Sequence, residues 1–160
     1  MSVAIRTAVH GDEQHLTVLN WFVQGLHVAK RPDSFKPSTQ EEVVEWFSRL
    51  LRNTSARMWI AEEAGAAVGY ILTMVQERPE SPFCRPRRWC EIDQIAVDPG
   101  CRRKGVATAL IQKALTEAAA EGFAEVEICT WTFNVKAQSL FKKFGFEPKL
   151  FRWERKSEIR

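Results

Sequence analysis

Basic residues and a glycine are concentrated in one short segment that could bind a phosphate group. The segment Arg102-Arg103-Lys104-Gly105 follows a strand-like run that ends at Val97, and an amphipathic helical pattern follows it. The first amides of a helix lack intrahelical acceptors and lie at the positive end of the helix dipole. Gly105 has no Cβ to keep a ligand from the backbone. The segment therefore predicts a turn that cradles a phosphate or pyrophosphate.

Two other phosphate-binding motifs do not match this segment. Gly100 and Gly105 have the glycine spacing of a Walker motif, but Val106-Ala107 stand where Lys and Ser/Thr are required. The dinucleotide-binding pattern G-x-G-x-x-G is absent. The alternative to a phosphate site is an ordinary strand-to-helix connection with solvated basic side chains.

The apolar pattern around the turn predicts a mixed sheet covered by helices. The predicted strands are 4–9, 57–62, 68–76, 89–97, 125–131 and 150–154, and the predicted helices are 13–30, about 38–52, 104–121 and 134–144. The element order is therefore βααβββαβαβ. Short turns between the middle strands favour antiparallel pairing, and the late strand-helix-strand units favour parallel pairing. Ser38 with Glu41, or Thr39 with Glu42, forms a capping-box pattern at the second helix.

Length and composition are those of a single globular domain. The chain has 160 residues, 45% hydrophobic and 27% charged, with a net charge of +3. These values disfavour disorder, and the length predicts one domain over residues 1–160. A charge this small does not indicate a nucleic-acid partner. Because no apolar run approaches about 18 residues and the start lacks a signal-peptide pattern, we expect a cytoplasmic protein without a membrane partner.

The cysteines and histidines do not have the spacing of a metal site. Four cysteines lie at positions 84, 90, 101 and 129, without a Cys-x-x-Cys pair and without a histidine at a metal-finger spacing. We therefore expect free thiols and no metal.

Two motifs in the correct order resemble those of a known family. The segment Arg102-Arg103-Lys104-Gly105-Val106-Ala107 resembles motif A of the GNAT superfamily of N-acetyltransferases, Arg/Gln-x-x-Gly-x-Gly/Ala. Asn134-x-x-Ala137-x-x-Leu140-Phe141-x-x-x-Gly145-Phe146 is similar to motif B. The element order resembles the family fold over nearly the whole chain. The resemblance implies an α/β (α+β) fold with a mixed, mostly antiparallel sheet of six to seven strands, flanked by about four helices.

The resemblance also implies acetyl-CoA as the acyl donor. By position, backbone amides from Arg103 to Thr108 would hold the pyrophosphate, and Arg102 would add positive charge. The implied cofactor-binding residues are Ile95, Ala96, Val97, Arg102, Arg103, Lys104, Gly105, Val106, Ala107, Thr108, Asn134 and Phe141. Ile95, Ala96 and Val97 would meet the pantetheine arm, and an amide near Val97 would polarise the thioester carbonyl. The alternative role of Asn134 is a plain helix N-cap.

Glu91 and Asp93 are the candidate catalytic bases. An alkyl amine, with a pKa of about 10.4, must lose a proton before it attacks a thioester. Strand alternation predicts that Glu91 and Asp93 share one face, which Ile95 and Val97 continue. The spacing from Glu91 to Arg102 resembles that of the catalytic glutamate in histone-acetylating members. The alternatives are a base acting through water and two solvated carboxylates without a catalytic role.

Phe141 departs from the family pattern. Many members have a tyrosine here, which protonates the departing CoA thiolate, and phenylalanine has no proton to give. A thiolate with a pKa of about 8.5 is a fair leaving group without an acid. Water or the Cys129 thiol are the alternatives.

The resemblance implies an acetyl-CoA-dependent N-acetyltransferase, in which a primary amine of a small molecule or peptide attacks the thioester directly. Within these classes the sequence does not identify the acceptor. The candidate acceptor-site residues come from the first helix, the loops and the end of a late strand. They are Trp21, Gln24, His27, Phe35, Trp131, Phe133 and the loop 78–88. A non-catalytic acyl-CoA-binding or regulatory module is the alternative function, and a nucleic-acid binder is disfavoured because aromatic and basic residues do not interleave. A homodimer is an assembly common in the family.

Overall fold

The computed structural model describes residues 3–157, which divide into two compact units between Cys129 and Thr130. The first unit contains one sheet of five strands and three α-helices. The strands are β1 (Ala4–Thr7), β2 (Ala56–Glu63), β3 (Ala66–Arg78), β4 (Arg87–Val97) and β5 (Val126–Ile128), and the helices are α1 (Glu13–Lys30), α2 (Gln40–Leu51) and α3 (Val106–Ala120). A short 3-10 helix, Pro99–Cys101, lies between β4 and α3.

The sheet has the spatial order β1-β2-β3-β4-β5. Neighbouring strands pair antiparallel from β1 to β4, and β5 pairs parallel with β4. The parallel pair follows from the α3 crossover, because a crossover connection brings the next strand back in the same direction. The sheet is thus mixed and mostly antiparallel, as predicted.

Helices α1 and α2 cover one face of the sheet. Leu16 and Leu19 of α1 and Phe47 of α2 pack with Tyr70 and Leu72 of β3 in a single apolar cluster. Helix α2 begins with the predicted capping box, in which the Thr39 hydroxyl accepts from the Glu42 amide and the Glu42 carboxylate accepts from the Thr39 amide. Of the two predicted capping pairs, the structure contains this one.

Helix α3 packs closely on the other face of β3. A Cβ on Gly69 would lie 2.9 Å from the Ala96 carbonyl oxygen, 3.0 Å from Cγ1 of Val106 and 3.2 Å from Cδ1 of Leu110. Gly69 precedes Tyr70, so strand alternation places it opposite the α1–α2 face. The absence of a side chain at Gly69 therefore sets how closely the start of α3 approaches the sheet.

In the second unit, the described residues 130–157 contain one helix, α4 (Val135–Lys143). Asn134 is its N-cap, with the side chain accepting from the Ala137 amide at 3.4 Å. Phe141 is buried, and its ring meets the Phe146 ring edge-on with 6.1 Å between centroids.

The predicted number of strands is wrong in detail, because the described sheet has five strands rather than six to seven. The described order is βααβββαβα, and the predicted last strand, 150–154, has no strand conformation. Leu150, Phe151 and Trp153 are all exposed. Residues with high strand propensity form a strand only where a neighbouring strand accepts their backbone hydrogen bonds, and no such pairing is found for this segment within residues 3–157.

Candidate functional site

The backbone at the start of α3 has the geometry of an anion-binding turn. Arg103 has φ of 62° and Gly105 has φ of 85°, both in the left-handed region. Left-handed residues in a turn bring successive N–H groups to one concave side. Gly105 is the N-cap of α3, no side chain caps the helix, and its first turn contains no acidic residue. The sequence-predicted turn therefore has a backbone suited to a phosphate group.

The first amides of α3 have no acceptor within the helix. The Ala109 amide donates to the Gly105 carbonyl at 2.9 Å, so the amides of Val106, Ala107 and Thr108 precede the first helical hydrogen bond. Residues Arg102–Gly105 and Thr108 are exposed, whereas Val106 is buried against the sheet. The helix is thus anchored by Val106 and presents three donors at its open end.

The three cations of the turn do not contribute equally. The Lys104 Nζ lies 3.1 Å from a carboxylate oxygen of Glu63, and this contact raises the pKa of Lys104. Arg102 and Arg103 form no ion pair with any residue in the described range 3–157. The positive charge offered to a ligand is therefore mainly that of the two arginines.

Strand β4 contains a β-bulge at Asp93. Leu72 of β3 pairs with Gln94, and the next residue, Thr73, pairs with Ile92, so Asp93 is one extra residue in β4. An extra residue reverses which face the following side chains occupy. The bulge therefore divides β4 into two segments. After it, odd-numbered residues point to the sheet face opposite the one that Glu91 occupies before it.

The predicted common face of Glu91, Asp93, Ile95 and Val97 is wrong beyond the bulge. Glu91 pairs with Met74, which packs on the α1–α2 cluster, whereas Val97 pairs with Gly69 on the α3 face. Ile95 pairs with Ile71, two residues from Gly69, and shares that α3 face. The prediction from strand alternation is wrong here because the polar–apolar pattern of the sequence does not reveal a bulge.

Among residues 3–157, no strand pairs with β4 beyond Ile92 on the β5 side. Strand β5 pairs only with Cys90, Glu91 and Ile92, whereas β4 continues to Val97. In a strand, alternate residues direct their N–H and C=O groups to opposite edges. Some N–H and C=O groups of residues 95–97 therefore have no partner in the sheet. These residues precede the 3-10 helix and the turn that lead into α3.

The two candidate bases both have raised carboxyl pKa values. Burial raises the pKa of Glu91, and the negative charges of Asp93 and Glu127 raise it further. Glu127 stands beside Glu91 in the parallel pair of β4 and β5. Although Asp93 as a residue is exposed, desolvation of its carboxyl raises its pKa too. A raised pKa brings a carboxylate closer to the range in which a general base works well.

The second unit holds the other two predicted cofactor residues. Asn134 caps α4 with its side chain and Phe141 is buried, as described above. The structure thus assigns Asn134 the N-cap role that the sequence left open, and its contact with a cofactor stays a prediction. Trp131 and Phe133 stack in this unit with 6.0 Å between ring centroids.

The candidate acceptor residues of the first unit connect α1 to the following loop. The His27 and Phe35 rings stack at 4.8 Å between centroids, and the Gln24 amide donates to the Lys36 carbonyl at 3.4 Å. Burial lowers the pKa of His27. Trp21, on the same helix, is 41% exposed. These contacts order the loop after α1 rather than leaving it independent of the helix.

A buried polar cluster beside the bulge was missed by the sequence interpretation. It consists of Asn20 on α1, Tyr70 on β3 and Gln94 on β4, which hydrogen-bond to one another. Tyr70, the single tyrosine of the chain, lies in the predicted strand 68–76. The available signal was a tyrosine in an apolar strand, because a buried tyrosine hydroxyl requires a partner.

Comparison with known proteins agrees with the fold and the motif. The family model described as the acetyltransferase (GNAT) family matches residues 20–146, which cover most of the chain. The chain therefore belongs to the GNAT acetyltransferase family, and the predicted enzyme class, an N-acetyltransferase, agrees with the family and with its named relatives.

Curated relatives match parts of the sequence at moderate identity. An uncharacterized N-acetyltransferase of Methanocaldococcus jannaschii is 29% identical over 65% of this chain and 45% of its own length. Human N-acetyltransferase 8 is 33% identical over 56% of this chain and 37% of its own. The chain thus spans less than half the length of these relatives. YwnH of Bacillus subtilis, a phosphinothricin acetyltransferase candidate, is 30% identical over 90% of this chain and 83% of its own.

Solved structures share the fold at low sequence identity. The BH1408 protein of Bacillus halodurans, in a tetramutant form, has a TM-score of 0.90 at 19% identity, covering 96% of this chain and 99% of that one. The aminoglycoside N-acetyltransferase AAC(6')-Iy, solved with CoA, has a TM-score of 0.77 at 18% identity, covering 99% and 96%. Within the described residues, no helix is long and apolar enough to cross a membrane.

Proposed function

We propose that the protein is an acetyl-CoA-dependent N-acetyltransferase that acts on a primary amine of a small molecule or peptide. The observation that carries the proposal is the uncapped start of α3, with its left-handed turn at Arg103 and Gly105. Family membership supports the same donor. The AAC(6')-Iy protein, solved with CoA and with a bisubstrate analogue of CoA, has a similar fold and supports an amine acceptor.

The residues around the turn fit the parts of acetyl-CoA. The amides of the turn 103–105 and of the first α3 residues, Val106 to Thr108, bind the pyrophosphate, and no side chain caps this helix start. The side chains of Arg102 and Arg103 add positive charge. The pantetheine arm runs along the β4 backbone at Ile95, Ala96 and Val97, where β5 no longer pairs. Bound acetyl-CoA supplies an activated thioester, and the protein supplies position and charge.

The chemical step requires one proton acceptor and one oxyanion donor. The amine nitrogen attacks the acetyl carbonyl carbon, the C–N bond forms, and the C–S bond breaks as CoA leaves as a thiolate. Glu91 takes the amine proton, directly or through water, with Asp93 as the alternative base. A backbone amide near Val97 stabilises the charge on the carbonyl oxygen. Phe141 donates no proton, so the thiolate, with a pKa of about 8.5, leaves unassisted.

A panel of amines tests the proposal directly. The wild-type protein is incubated with acetyl-CoA and, separately, with aminoglycosides, polyamines, amino acids and lysine peptides, while released CoA thiol is measured. We expect amine-dependent thiol release for at least one class, with a mass increase of one acetyl group on that amine. Binding of acetyl-CoA without thiol release on any amine would contradict catalysis and favour a non-catalytic acyl-CoA-binding module.

A further inference from the structure

Three side chains from three elements form a closed hydrogen-bonded cluster beneath α1, here called the Asn20–Tyr70–Gln94 cluster. The Asn20 Nδ2 donates to the Tyr70 hydroxyl at 2.9 Å and to the Gln94 Oε1 at 3.2 Å. The Tyr70 hydroxyl donates to the same Gln94 Oε1 at 2.6 Å. Tyr70 is fully buried and Asn20 is 7% exposed. Gln94 is half-buried, and each member of the cluster binds the other two.

The cluster is located at the bulge in β4. Gln94 is the first residue after the extra residue Asp93, and it pairs across the sheet with Leu72. Tyr70, two residues before Leu72 in β3, pairs with Ala96. Burial raises the pKa of Tyr70, and the Asp93 charge raises it further. The cluster therefore connects β3 and α1 to the point where β4 changes facing.

Hydrogen bonding within the cluster favours one register of β4. If β4 slipped by one residue, Gln94 would turn to the α3 face and the Tyr70 hydroxyl would lose its acceptor. Leaving a buried polar group without a partner is costly, so such slips are disfavoured. The apolar cluster beneath α1 and α2 distinguishes less well between registers of β4. Its only buried member from β4 is Ala96, whose side chain is small.

We propose that Asn20, Tyr70 and Gln94 are positioning residues, which hold the β4 bulge in place and so align Glu91 on one face with the 95–97 backbone. This inference rests on the proposed function, because its kinetic consequence is the alignment of a base and an acyl group for transfer. None of the three residues needs to contact a substrate. They act through the register of β4.

Two variants and one control test the proposal: one variant removes the Tyr70 hydroxyl and the other removes the Gln94 amide. Tyr70→Phe and Gln94→Met each open the cluster while keeping side-chain shape. Thr17→Val is the control, because Thr17 is fully buried on α1 but its hydroxyl bonds only the Glu13 carbonyl of the same helix. We expect kcat to fall about tenfold to a hundredfold in both cluster variants, because small misplacements of reacting groups are costly. The KM for acetyl-CoA should change less than kcat, since the α3 turn that binds the pyrophosphate is unaltered and only the 95–97 contact with the pantetheine arm is loosened.

The double variant distinguishes positioning from general destabilisation. With both substitutions, kcat should be no lower than in Gln94→Met alone, because the cluster is already open. Tyr70→Phe combined with Thr17→Val should keep the kcat of Tyr70→Phe. A cluster variant with wild-type kcat, or a loss matched by Thr17→Val, would overturn the proposal.

Hydrogen exchange gives a readout that does not depend on activity. In the cluster variants, the amides of residues 93–97 should exchange faster than in the wild type, and those of Val106–Ala120 should not. If the wild-type protein acetylates no amine, the proposed function fails, and exchange at 93–97 still decides the role of the cluster. Unchanged exchange at 93–97 would refute it.

Discussion

Glu91 is half-buried between two other carboxylates, and its environment opposes ionisation. Desolvation is the largest cause of its raised pKa, followed by the charges of Asp93 and Glu127. As a general base, Glu91 acts only when ionised, so activity should fall as the pH drops through this raised pKa. The acid limb of the pH–rate profile should therefore lie above the ordinary carboxyl range.

Glu91→Gln should lower kcat at neutral pH about a hundredfold or more, because the amide cannot take the amine proton. The measurement is thiol release across a pH series with the best amine of the panel. Glu127→Gln should move the acid limb to lower pH, since removal of a neighbouring negative charge lowers the pKa of Glu91. An unchanged rate and pH profile in Glu91→Gln would exclude Glu91 as the base.

Glu125→Gln is the matched control for the Glu127 variant. The two glutamates are two residues apart in the chain, and both accept from the Arg87 guanidinium. Only Glu127 contributes to the raised pKa of Glu91. The acid limb should therefore stay in place in Glu125→Gln, and a shift equal to that of Glu127→Gln would contradict the assigned cause.

Helix α3 and strand β3 approach each other at Gly69, and this close approach sets the position of the turn 102–105 before α3. Gly69→Ala should destabilise the fold by about 1–3 kcal/mol, because the new Cβ meets the Ala96 carbonyl, Val106 and Leu110 at 2.9–3.2 Å. Urea unfolding measures the loss.

Gly25→Ala is the control for the Gly69 variant, because a Cβ there meets nothing within 4 Å. Gly25 lies inside α1, where alanine is favoured over glycine by about 0.5–1 kcal/mol. The control should therefore be more stable than the wild type. Equal stability of Gly69→Ala and the wild type would show that α3 is free to shift.

Local signals at the element scale were read correctly from sequence. The predicted helix 13–30 matches α1, and the Thr39–Glu42 box begins α2, because capping and helical periodicity depend on neighbouring residues only. The bulge at Asp93 and the short β5 depend on what lies across the sheet. The sequence therefore indicated the phosphate turn but assigned Ile95 and Val97 to the same face as Glu91.

At the scale of the whole molecule, the number of domains is decided by whether the two compact units unfold together or separately. We propose that residues 1–160 form one cooperative domain. The only helix described among residues 130–157, α4, has nine residues, and isolated helices this short are marginal in water. The same dependence on neighbours explains why the 150–154 segment could not be assigned from propensity alone.

Hydrogen exchange during urea unfolding tests the single-domain proposal. Protection of α4 and of α3 should be lost at the same urea concentration, and far-UV circular dichroism should show one transition with that midpoint. Loss of α4 protection well before that of α3 would instead establish two independently unfolding units.

The binding of acetyl-CoA at the start of α3 is the central claim, and calorimetric titration of three proteins tests it most directly. Gly105→Glu places a carboxylate in the phosphate turn, whereas Gly122→Glu places one at the other end of α3. Both glycines have left-handed φ, 85° and 79°, and a Cβ at either meets nothing within 4 Å, so the backbone strain is matched. We expect wild-type affinity within about twofold for Gly122→Glu and at least about a hundredfold weaker binding for Gly105→Glu. Wild-type affinity in Gly105→Glu would contradict the account.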